Sequence, residues 1–197
     1  MKLIAVLIAL RCLVSSATAA CAPFSEDNLP ANYTTDAFPL PAPTTKLDFR
    51  IVVEISGRLP LGPGPFGQRN WVAISGGTWA ATWGKGTIVA GGQDNQLVID
   101  DLSTLTDTAL LLQTEDATPA YISVKTSGWR TGPRNVLERL ANPATAGSVR
   151  PTEYTFRLFV QLETGDPRYN ETVNTAMWLG SAAKLGNAVV YDAYLIG

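Results

Sequence analysis

The chain has 197 residues, 15 basic and 17 acidic side chains and no histidine. Without histidine there is no Ser-His-Asp or Cys-His triad, no histidine-ligated zinc and no 2-His-1-carboxylate iron site. No basic excess exists to neutralise phosphates, so nucleic acid is not an expected partner.

The first residues read as a cleaved signal peptide, residues 1–20. Lys2 is followed by the apolar run Leu3 to Leu10, which Leu13-Val14 extends, and Ala17-Thr18-Ala19 has the small-residue spacing of a cleavage site. The run is too short to span a bilayer permanently. A competing reading makes Cys21 the lipidated residue of a bacterial lipoprotein, but Thr18-Ala19-Ala20 lacks the leucine that motif carries. Two N-glycosylation patterns, at Asn32 and Asn170, favour a eukaryotic secretory route and a secreted product. Loss of Lys2 and Arg11 takes the basic count from 15 to 13 against 17 acids, a net charge of −4. Cys12 leaves with the leader, so Cys21 has no intrachain partner and a core must hold the roughly 175 remaining residues together. Whether Cys21 bridges two copies, and whether the protein is a homo-oligomer, stays open. No membrane partner is expected after the leader is removed.

Residues 21–46, rich in Pro, Ala, Thr and Asn, read as an extended N-terminal arm ahead of a domain over 47–197. Leu47, Phe49, Ile51, Val53 and Ile55 alternate with Asp48, Arg50, Val52, Glu54 and Ser56, the pattern of a strand. The stretch Gly57 to Gly67, carrying Pro60, Pro63 and Pro65, reads as a long loop. Short strands are expected over 68–74, 78–83, 87–90 and 97–99, with Gly76-Gly77, Gly84-Lys85-Gly86 and Gly91-Gly92 as turns or breaks. Residues 108–115 and 120–127 form a hairpin. One helix spans 133–141, with Pro133 in its first turn and Val136, Leu137 and Leu140 as its apolar stripe. Residues 153–163, 178–185 and 188–196 complete the strands. Many short strands, glycine turns and one short helix predict an all-β fold, a single antiparallel β-barrel with an extended N-terminal arm. A sandwich is the alternative.

Several segments in this order carry a resemblance: Ile74-Ser75-Gly76-Gly77-Thr78, Gly91-Gly92-Gln93-Asp94, Thr114-Glu115-Asp116, Gly128-Trp129-Arg130, Asp166-Pro167-Arg168-Tyr169, Trp178-Leu179 and Val190-Tyr191-Asp192-Ala193-Tyr194. Over roughly 47–196 the chain resembles a family of small β-barrel proteins known mainly as a domain of unknown function in bacteria and fungi. The same resemblance extends to the secreted fungal hetero-Diels–Alderases of tropolone–sesquiterpenoid pathways. It implies a cofactor-free pericyclase of meroterpenoid secondary metabolism that joins a tropolone ortho-quinone methide to a humulene-type alkene. Three departures are Gly180 in place of the usual asparagine after Trp178-Leu179, the insertion Asn170 to Ala176, and Asn95 where an aromatic commonly stands. All three are expected near the barrel mouth.

The candidate site residues follow from what a small apolar organic substrate needs. The five tryptophans, Trp71, Trp79, Trp83, Trp129 and Trp178, either fill the core or line a substrate cavity. Asp94 and Gln96 share one strand face, as do Gln113 and Glu115, and both pairs are candidates to project inward. Arg130, Tyr121 and Gln113 are the candidate catalytic residues, able to hydrogen-bond or polarise a conjugated carbonyl, and Arg157 is a further binding candidate. Metal and cofactor are expected to be absent. A carrier barrel without catalysis wants the same pocket, whereas a purely structural protein would have a filled interior.

Overall fold

A computed structural model of the chain describes residues 24–197; the leader, its cleavage site and Cys21 lie outside the described residues. The chain divides into two units, one ending at Ala42 and the other spanning Pro43–Gly197. The described part of the first is held by local bonds. A 3-10 turn forms at Ala31–Tyr33 after Pro30, and Glu26 accepts from the backbone N–H of Thr35 at 2.9 Å. Asn32 is exposed there.

The second unit is a closed barrel of eight antiparallel strands in chain order: β1 (Thr45–Gly64), β2 (Gly67–Ala81), β3 (Gly84–Val98), β4 (Thr104–Thr114), β5 (Tyr121–Thr131), β6 (Thr155–Glu163), β7 (Met177–Leu185) and β8 (Ala188–Ile196). Strand β8 returns to β1, from Thr45 opposite Ile196 to Glu54 opposite Ala188, so the sheet has no free edge along that seam. Alternation explains the wall: on β6, Phe156, Leu158, Val160 and Leu162 are buried, while Arg157, Phe159 and Gln161 are exposed.

Three expectations change. The stretch 57–67 is not a loop, because β1 continues to Gly64 and pairs with β2 through Pro60 opposite Asn70 and Pro63 opposite Gln68. Pairing of β1 to β8 has already stopped at Glu54, so the prolines lie where β1 is an edge strand beside β2, and its outer side needs no N–H donor. The pairs Gly76-Gly77 and Gly91-Gly92 do not end strands either. They mark bulges that kink the long β2 and β3, with Gly76, Gly77 and Gly91 at positive φ. Finally, Asp48 does not point outward. A register shift between Leu47 and Phe49 turns both Asp48 and Phe49 into the interior.

Helix α1 (Arg134–Ala141) starts one residue after Pro133 and buries Val136, Leu137 and Leu140 as their spacing implies. A second short helix, α2 (Pro143–Ala146), follows at once, capped by Asn142, whose side-chain oxygen accepts from the Ala144 N–H. Helix α3 (Asn170–Val173) occupies the insertion and half-buries Asn170. No helix among the described residues is long and apolar enough to cross a membrane.

One end of the barrel is closed by aromatic rings. Trp79 and Trp83 have centroids 5.0 Å apart, and Phe49 meets Trp83 and Trp178 edge-on at 6.2 and 5.9 Å. The indole N–H groups of Trp83 and Trp178 both donate to Asp48 Oδ2, at 3.1 and 2.8 Å, and the Thr82 hydroxyl donates to Asp48 Oδ1. A buried carboxylate and two indoles thus satisfy one another. Tyr169 covers Trp83 and donates to Asp116 at 2.6 Å, which Arg168 also pairs.

Candidate small-molecule site

Above this floor the barrel is hollow. A cavity of about 910 Å³ runs to the opposite end, where α1 and α2 lie at its rim with Leu137, Ala141 and Pro143. That volume lies at the upper end of the range for small-molecule pockets, roughly 300–1,000 Å³. The lower wall is apolar, formed by Val53, Val72, Ile74, Leu110, Leu158 and Val189. The upper wall carries polar groups because inward positions alternate strictly. On β4 these are Thr104, Thr106 and Thr108, and on β5 they are Thr126 and Arg130.

Arg130 is the central polar group. Its Nη2 donates to Thr104 Oγ1 at 2.9 Å, no protein group bonds its Nε, and burial lowers its pKa. Asp94 on β3 accepts from Gln96 Nε2 at 2.8 Å and from the Asp107 backbone N–H at 2.9 Å. Burial pushes its carboxyl above the usual range, partly opposed by those bonds and by the charge of Arg130. Lys184 on β7 donates from Nζ to the Leu140 carbonyl at 3.2 Å, and burial, with the positive charges of Arg130 and Arg58, lowers its pKa. Tyr191 on β8 faces the same space. Its hydroxyl is buried without a protein partner, and that burial holds it protonated.

The sequence-predicted residues separate accordingly. Asp94, Gln96 and Arg130 line the cavity. Gln113 and Glu115 do not, since even-numbered positions of β4 point inward; Glu115 is exposed and pairs with Lys85 at 3.1 Å. Tyr121, Trp129 and Trp71 stand on the outer wall, 54%, 41% and 38% exposed, and Arg157, opposite Trp129, is outward too. Trp79, Trp83 and Trp178 form the floor beneath the cavity rather than its lining. The departures are not all at the mouth. The insertion packs at the floor end beside Trp178, Gly180 is buried against Leu158 and Val160, and Asn95 faces outward opposite Trp71. Sequence reasoning passed over Lys184, Tyr191 and the threonines. Alternation from Trp178 along β7, and from Ala193 back along β8, places Lys184 and Tyr191 inward. Among the described residues, no cluster of three or more Asp, Glu or Cys side chains could hold a metal.

The comparisons agree with this architecture. A protein of unknown function from Rhodopseudomonas palustris is similar at 27% identity and TM-score 0.73, over 80% of this chain and 100% of that one. A β-barrel-like protein from Acinetobacter baumannii is 32% identical with TM-score 0.68, over 81% of this chain and 99% of its own. An enzyme from Penicillium herquei shares the fold at 19% identity and TM-score 0.57, over 80% and 98% of the two chains. No curated protein matches. The family model described as a protein of unknown function, DUF3237, matches residues 43–196, the whole barrel, and the chain belongs to that family.

Proposed function

We propose that the barrel is a cofactor-free cyclase of the hetero-Diels–Alder type, seating a tropolone-derived ortho-quinone methide beside a humulene-type alkene. The observation that carries this reading is the hollow interior, about 910 Å³ with an apolar lower wall and a polar upper one. In such a cycloaddition the quinone methide supplies its O=C–C=CH₂ unit and the alkene two carbons. One C–O and one C–C bond form, and no atom is lost. No proton shuttle is required, which suits a chain without histidine. Holding the partners face to face replaces an encounter in solution, and well-oriented pairs reach effective molarities of ~10⁵ M or more. Arg130 on the cavity wall is the cationic group for the quinone methide oxygen, where charge grows as the methide carbon takes the new C–C bond. The enclosing wall shields the electrophile from water. The leader-like residues 1–20 and the exposed sequon at Asn32 support a secretory setting for this chemistry.

The test is to generate the ortho-quinone methide in the presence of humulenol and the full chain, and to measure product rate and stereoisomer ratio. The expected result is faster formation of one stereoisomer, abolished in Thr126→Trp, which fills the cavity from β5. Tight binding with an unaltered product ratio assigns the barrel to carriage instead and refutes the cyclase.

A further inference from the structure

We infer that the cavity selects ligands bearing a monoanionic oxygen, a carboxylate or an enolate-type oxygen, set against Arg130. The inference rests on the small-molecule reading of the barrel and deepens it.

Charge balance inside the barrel motivates it. On the outer surface Arg50, Arg139 and Arg168 each have a carboxylate partner, in Asp192, Glu153 and Asp166. Arg130, half-buried in the cavity wall, has none: among the described residues no ion pair within 4.0 Å includes it. Its one side-chain acceptor is the neutral Thr104 hydroxyl, and its Nε faces no protein acceptor. Lys184 and Arg58 line the same cavity, and neither is in an ion pair within 4.0 Å among the described residues. Asp94 acts on Arg130 by its charge but not as an ion pair, and its two oxygens accept from Gln96 and the Asp107 N–H. A desolvated guanidinium with no directly bonded carboxylate is costly, and a ligand oxygen carrying negative charge offsets the cost. Arg130, Lys184 and Arg58 together give the lining a cluster of positive side chains, which suits such an oxygen. The ligand thus joins an acidic oxygen to an apolar body.

Isothermal titration of the full chain with 2-naphthoate, 4-nitro-1-naphtholate and neutral 2-naphthamide tests this. At least one anion is expected to bind about tenfold or more tighter than the amide, the scale of one charge-assisted hydrogen bond. Which anion does so tells carboxylate from enolate-type oxygen. Arg130→Gln is expected to erase the preference and leave amide affinity in place. Should that variant fail to fold, Arg58→Gln at the exposed rim is expected to weaken the preference and make it less salt-sensitive. Amide binding as tight as both anions overturns the inference while sparing the small-molecule reading. Binding of none of the three overturns both.

Discussion

The floor of the barrel makes a quantitative prediction. In Asp48→Ala the two indole N–H groups now bonded to Asp48 Oδ2, at 2.8 Å from Trp178 and 3.1 Å from Trp83, lose their acceptor. Trp178 is 2% exposed, so water cannot replace the carboxylate without opening the floor. An unsatisfied buried donor costs about 1–3 kcal/mol. Trp178 falls at the upper end of that range and half-buried Trp83 at the lower, giving about 4 kcal/mol together. Removing a buried carboxylate returns part of this as relieved desolvation, for a net loss of about 2–4 kcal/mol. At about 2–4 °C per kcal/mol for a domain of this size, Tm should fall by about 5–15 °C. Urea unfolding followed by tryptophan fluorescence reads the change as a lower midpoint at an unchanged slope. Asp48→Asn, which keeps one acceptor oxygen, should lose about half as much. A loss below about 0.5 kcal/mol in Asp48→Ala, the level of an ordinary surface change, would refute the floor as described.

Two further outcomes follow from the same geometry. Asp94 has a folded-state pKa raised above 3.8, so its protonated form favours the fold and stability is lost as pH rises from 3.8 through the raised value. Asp94→Asn cannot ionise, so the stability of the wild type relative to this variant should fall across that window and level off above it; denaturant titrations in which the difference is flat or grows with pH would contradict the assignment. A Cβ at Gly128 would lie 1.9 Å from the Arg157 carbonyl oxygen, whereas one at Gly147 meets nothing within 4 Å. Gly128→Ala should therefore cost about 3 kcal/mol and speed hydrogen exchange along β5 and β6, with Gly147→Ala near neutral; equal effects from the two would show that β5 and β6 are not so closely packed.

Much of this was legible from residues alone. Period-two alternation on 153–163 and 188–196, the hairpin at Asp116 to Pro119 and the spacing of Val136, Leu137 and Leu140 define strands and a helix by local geometry. Asp94 and Gln96 share a face for the same reason, and they do line the cavity. Alternation states which residues share a face, but not which face turns inward when both are apolar. Leu110, Leu111 and Leu112 offer no contrast on β4, so nothing local shows that Gln113 points out. On β5, Trp129 and Arg130 invert the usual rule, the tryptophan facing outward and the half-buried arginine lining the cavity.

The amino-acid order by itself determined an antiparallel β architecture, because hydrophobic period and turn residues act within a few positions of one another. Tertiary structure alone decided the rest: that Pro60 and Pro63 belong to a strand, that a bulge turns Asp48 inward, that three tryptophans gather as a floor and that the space above them is empty. Those features depend on strand register, a relation between residues far apart in the chain. A shift of one residue exchanges the two faces of a strand, and barrel closure is what selects one register over the other.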